Sequence, residues 1–197
     1  MPEKTNILPY AIRAADFSLA HPLDEFYALA GQALPPLQEV EGVGVPEPYK
    51  TLLVHQNDMT PTLEKFHQSR IHLQVVGRRS MEEAYYREVV LLLDGTDQPV
   101  EFGAIKINLG LFPQEARAEI LQEKLPLGYI LAEYKIPHAS RPRAFIRLAS
   151  DHLINGLLKL SGAQVLYGRR NTLFDPQQRP LAEIVEILPT AGKKDVA

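Results

Sequence analysis

The chain reads as an α+β protein, an antiparallel β-sheet with helices packed on it, and three features predict this. Residues 71–79, 85–93 and 100–109 are runs rich in β-branched, aromatic and aliphatic side chains with short connections, and Asp94-Gly95 opens the turn between the last two. Strands joined that closely pair antiparallel, because a parallel pair needs a long crossover. Residues 167–173 and 181–188 repeat the pattern as a hairpin around a polar turn from Asp175 to Pro180. Between these groups, residues 113–124 carry Ala116, Ile120 and Leu121 as a narrow apolar stripe among charges, the period of a helix lying on a surface.

In chain order, residues 1–50 hold Pro2, Pro9, Pro22, Pro35, Pro36, Pro46 and Pro48 and one helix, from residue 22 or 23 to about 34, whose Asp24 and Glu25 suit the first turn. Residues 35–48 read as loop, and Gly42-Val43-Gly44 lacks the strand and helix that a dinucleotide fingerprint needs. The pattern turns helical from Tyr49 to Phe66 with a break near Pro61, and the run from Asp58 to Glu64 contains cap residues ahead of a short helix over 62–68. After Glu88 the second strand is apolar on both parities, so cover is expected on both of its faces. Pro113 suits a helical first turn, Leu125-Pro126-Leu127-Gly128 is a break, and a short helix follows toward Glu133. Residues 145–148 read as a strand and 151–160 as a helix stopped by Gly162. The expected organisation is one domain over 51–190, a proline-rich segment over 1–50 packed on it, and a frayed tail over 191–197.

Composition narrows the function. A formal net charge of −3 gives no basic footprint for nucleic acid, and the prolines of residues 1–50 argue against a helix-turn-helix. No apolar run is long enough to span a bilayer, and residues 1–12 lack the layout of a signal peptide, so a cytoplasmic monomer or small homo-oligomer is expected. The absence of cysteine excludes disulfides, thiolate metal sites and cysteine nucleophiles. His67 and His72 lack the spacing of two ligands on one helix face, His138 and His152 are isolated, and Ser80, Ser140, Ser150 and Ser161 have no nucleophile-elbow context. No metal and no cofactor are expected.

Within the last strand the period of two puts Ala182, Ile184, Glu186 and Leu188 on one face, so Glu186 is a lone carboxylate in an apolar row. A buried carboxylate needs a cation or donors to stay charged, or a raised pKa to stay neutral. Arg87 is the candidate partner, either as a structural ion pair between strands or as part of a site. Arg169 and Arg170 fall on opposite faces, so at most one turns inward, and pairing with surface carboxylates is their expected role. Tyr85 and Tyr86 read as sheet packing.

With these elements in line, Asn57-Asp58-Met59-Thr60, Tyr86-Arg87-Glu88-Val89-Val90-Leu91, Pro126-Leu127-Gly128, Gly168-Arg169-Arg170 and Val185-Glu186-Ile187 together resemble the chorismate pyruvate-lyase family over residues 56–189. The resemblance implies the chorismate lyase-like fold, an antiparallel sheet of about six strands enclosing a pocket, which that family shares with ligand-sensing domains of some transcription regulators. It implies conversion of chorismate to 4-hydroxybenzoate and pyruvate, or non-catalytic binding of an aromatic carboxylate in the same pocket. Arg87 takes the position of the carboxylate-binding arginine and Glu186 that of the carboxylate near the ring hydroxyl; Met59, Leu127 and the adjoining Gly128 match ligand-flanking positions. The turn before Glu186 is about two residues longer than the usual pattern, and an even insertion keeps its face; without it, Val185 or Glu183 would take the position. The family's second arginine is replaced here by Ala104, and Lys106, two residues on and on the same side, is the candidate substitute cation.

Overall fold

The computed structural model describes residues 18–82 and 84–189; the segment read against a signal peptide and the tail over 191–197 lie outside them. In chain order the elements are α1 (Leu23–Leu29), β1 (Leu37–Val40), α2 (Tyr49–Leu53), α3 (Met59–His67), β2 (Ile71–Met81), β3 (Ala84–Leu93), β4 (Pro99–Asn108), α4 (Gln114–Gln122), α5 (Leu127–Glu133), β5 (Ala139–Ala149), α6 (His152–Leu158), β6 (Val165–Phe174) and β7 (Pro180–Leu188). All strands pair antiparallel in a seven-stranded sheet ordered β1-β5-β6-β7-β4-β3-β2. The α+β architecture is the one expected. The meander β2-β3-β4 and the hairpin β6-β7 are joined where β4 lies against β7.

The differences are local. The additional strand is β1, within the stretch read as loop. It is a four-residue edge strand on β5 with Gln38 and Glu39 exposed, too short for alternation to show beside Pro35, Pro36 and Gly42. Helix α1 ends at Leu29, earlier than expected, and the chain turns at Gly31 with φ +65°. Helix α3 begins at Met59 and includes Pro61, whose missing N–H is no loss within the first turn. Strand β5 extends far beyond 145–148 because Pro142 is accommodated where the pairing with β6 shifts register. Asp151 caps α6, accepting a hydrogen bond from the Ile154 N–H at 2.8 Å.

Both faces of the sheet are covered, as the apolar run in β3 requires. On one face Phe102, Ala104, Val185 and Ile187 pack with Phe26 and Tyr27 of α1 and with Ile154 and Leu158 of α6. On the other, Ile105, Ile107 and Leu173 meet Ile120 of α4 and Ile130 of α5, while Leu91, Leu93 and Leu188 meet Leu52 of α2 and Leu63 of α3. β3 is therefore covered on both faces, and Glu88, on its α1 side, is buried, with Oε1 lacking a hydrogen-bond partner among the described residues. Burial pushes its pKa up to about 7. A carboxyl raised in the folded state contributes stability that is present below its unfolded pKa and lost as pH rises through about 7. Glu88→Gln is expected to flatten that slope and to raise stability near pH 8 by about 1–2 kcal/mol, after discounting for solvent screening. Urea unfolding of both proteins near pH 5 and near pH 8 measures this; parallel pH profiles would assign the slope to other groups.

Candidate functional site

On the second face a cavity opens between the sheet and the starts of α3 and α5. It holds about 70 Å³ of free interior space, room for several water molecules. Its walls are largely apolar, from Leu73, Val89, Leu91, Ile105 and Leu131, and the polar groups among them are few. Gly103 leaves part of the floor as bare backbone. A Cβ there would run into the carbonyl oxygen of Val185 on the neighbouring strand, so the glycine also lets β4 and β7 close together.

Arg87 reaches this cavity from β3 and is 2% exposed. Its Nε and Nη1 are buried with no hydrogen-bond partner among the described residues. Burial pushes its pKa down to about 10, opposed by Tyr85 and Glu123, so the guanidinium remains a cation near neutral pH. Glu186 also lines the cavity, on the expected face of β7, and is 4% exposed. Its partner is not Arg87. Arg169, directly opposite on β6 and fully buried, forms the ion pair through Nε. The same guanidinium donates to the carbonyls of His55 at 3.2 Å and Asn57 at 3.2 Å, tying the α2–α3 connection to the sheet. Arg169 is thus an internal residue and not the surface partner expected of it; Arg170, on the other face, approaches Glu183 at 3.8 Å.

Met59, Leu127 and Gly128 line the cavity at the starts of α3 and α5, and Gly128 brings the two helices together against Thr60. Lys106 does not line it. The alternation that puts Lys106 beside Ala104 turns both to the α1 face, where Lys106 Nζ binds Glu183 Oε2 at 3.0 Å and lies over the Tyr86 ring. Glu183 and Val185 face the same way, so among the three candidate positions on β7 the one turned to the cavity is Glu186.

Three further polar groups, none of them assigned to a site from the sequence, line the cavity. Glu101 on β4 lines the cavity, is 5% exposed, and has Oε2 without a partner among the described residues. Its signal was the one used for Glu186, a carboxylate in an alternating row with Gly103, Ile105 and Ile107. Asn171 on β6 donates through Nδ2 to Ser140 Oγ at 2.9 Å and leaves Oδ1 unpartnered among the described residues. Asp58, also on the wall, is held at 2.9 Å by Nε2 of His138, whose pKa that contact raises.

No family model matches the chain, and no curated protein sequence matches it. Solved structures do. PhnF from Mycobacterium smegmatis superimposes with a TM-score of 0.52 at 11% identity, over 88% of this chain and 95% of that one. The effector domain of the same protein gives 0.51 at 12% identity, over 68% of this chain and 88% of its own. A gene product of Staphylococcus aureus subsp. aureus N315 gives 0.50 at 13%, over 61% and 83%. The fold is chorismate lyase-like. The likeness to chorismate pyruvate-lyases read from the residues therefore holds at the level of the fold.

In this chorismate lyase-like domain the cavity joins an apolar shell to a buried guanidinium, whose Nε and Nη1 have no hydrogen-bond partner among the described residues, and to the Glu186–Arg169 ion pair. Chemically, such a lining offers charge to an anion and burial to an apolar group. Among the described residues no group of three or more His, Cys, Asp or Glu is placed to hold a metal ion, and no helix is long and apolar enough to cross a membrane.

Proposed function

We propose that this domain binds a small aromatic carboxylate as a non-catalytic ligand-sensing module, with Arg87 as the anchor. The observation that carries the reading is the guanidinium itself. A buried cation without an acceptor is costly to the fold, and an apolar cavity beside it supplies room for the missing anion. The effector domain of PhnF has the same fold, which supports a sensing role. Arg169 is committed to Glu186 and Asp58 to His138, so among the described cavity residues Arg87 is the cation left for the ligand, which suits a monocarboxylate. Isothermal titration of the purified chain with benzoate and 4-hydroxybenzoate is expected to give saturable, one-to-one binding. Absence of binding to either compound would remove the proposal.

Chorismate pyruvate-lyase activity is the second reading, favoured by the two carboxyl groups, Glu101 and Glu186, that line the same cavity as the anchor. Elimination of pyruvate needs a grip on the substrate, exclusion of water and a proton donor, and a buried carboxyl supplies the last. Chorismate is a dianion, however, and its second carboxylate finds no unpaired cation among the described cavity residues. Chromatography of a chorismate incubation, with pyruvate assayed in parallel, separates the readings: equimolar pyruvate and hydroxybenzoate establish the lyase, and binding without turnover establishes the sensing domain.

A further inference from the structure

Glu101, Gly103 and Ile105 line the cavity in succession along β4, and Ile105 stands opposite Arg87 on β3. The register therefore places Arg87 and Glu101 four residues apart along one sheet face, about 14 Å between Cα positions. The bare backbone of Gly103 lies between them, at the centre of the floor. Cation and carboxyl thus mark opposite ends of a slot whose middle has no side chain.

The environment of Glu101 determines its chemical form. Its neighbour Glu186 already engages Nε of Arg169, and the other guanidinium nitrogens of Arg169 bond to carbonyls of the α2–α3 connection. An ionised Glu101 would be a second buried carboxylate with no cation of its own. Burial first, and Glu186 next, hold its pKa well above the usual carboxylate range, with Arg169 opposing. A protonated carboxyl offers one O–H donor and retains acceptor capacity.

We propose that Glu101 is a specificity-determining residue of the carboxylate site: it hydrogen-bonds a neutral polar substituent at the end of the ligand remote from Arg87, and its surroundings reject a second carboxylate there. The proposal rests on the carboxylate-binding reading above. A ring hydroxyl can accept from the Glu101 O–H and donate back to it. An anion at the same place would be stripped of water without gaining an unpaired cation, since Arg169 is engaged.

The test is calorimetric titration of benzoate, 4-hydroxybenzoate and terephthalate into the wild-type chain, Glu101→Leu and Glu101→Gln. The wild type is expected to bind 4-hydroxybenzoate at least about 10-fold more tightly than benzoate, and terephthalate at least about 100-fold more weakly than 4-hydroxybenzoate. Glu101→Leu is expected to keep the benzoate affinity and lose the hydroxyl preference; Glu101→Gln, with donor and acceptor restored, is expected to keep most of it. A hydroxyl preference unchanged in Glu101→Leu overturns the assignment, as does wild-type terephthalate binding equal to that of 4-hydroxybenzoate. Failure of the wild type to bind either monocarboxylate overturns the underlying carboxylate site as well. Binding of both without discrimination overturns only the role of Glu101.

Discussion

Arg87→Met is expected to make the protein more stable while abolishing its carboxylate binding. Methionine occupies a similar volume and packs readily among Val89, Leu91 and Leu131, which share the cavity wall. What it removes is a guanidinium that is 2% exposed and whose Nε and Nη1 have no acceptor among the described residues. Relief of that desolvation is expected to raise unfolding free energy by about 1–3 kcal/mol, a rise in Tm of roughly 2–12 °C for a chain of this size. Loss of the anchor should weaken benzoate binding by about 2–5 kcal/mol, roughly 30-fold to several thousand-fold in Kd. Denaturant melts and calorimetry on the same preparations measure the two effects. Destabilisation by several kcal/mol would identify Arg87 as a structural residue and sink its role as the anchor.

Arg169→Met should do the opposite. Removing this cation leaves Glu186 buried and unpaired beside Glu101, and it releases the His55 and Asn57 carbonyls that hold the α2–α3 connection. Breaking one side of a buried pair costs about 3–5 kcal/mol, which corresponds to a fall in Tm of roughly 6–20 °C at this size. The double variant Arg169→Met with Glu186→Leu removes the orphaned charge and is expected to recover more than half of the loss. If the double variant is no more stable than Arg169→Met, the damage lies in the carbonyl contacts and not in the charge.

Much of this arrangement could be read from the residues, because period-two alternation is a local property. It gave the strands, put Glu186 inside, and kept Arg169 and Arg170 on opposite faces. The pairing of Glu186 depends on non-local facts. Arg169 faces Glu186 only because of the register of the β6-β7 hairpin, and that register shifts at Leu173/Phe174, beside a turn whose geometry the residue types leave open. Arg87 is kept from Glu186 by the order β3-β4-β7, which places β4 between their strands. The same limit governed Lys106: alternation correctly put it beside Ala104, but which face of β4 meets the cavity is decided by the helices that cover the sheet. Strand β1 was hidden for another reason, since an exposed four-residue edge buries too little to impose a pattern.

Gly103 and Gly168 flank β7 from both sides, one where a Cβ would strike the Val185 carbonyl and the other where it would strike that of Glu186. The segment bearing Glu186 is therefore gripped along its main chain by two neighbours that approach only because they lack side chains. Main-chain placement cannot be retuned by choosing another rotamer. The distance between the strands bearing Arg87 and Glu186 is consequently a stiff coordinate of the molecule, and any change in the cavity's shape falls to the helical wall formed by α3 and α5.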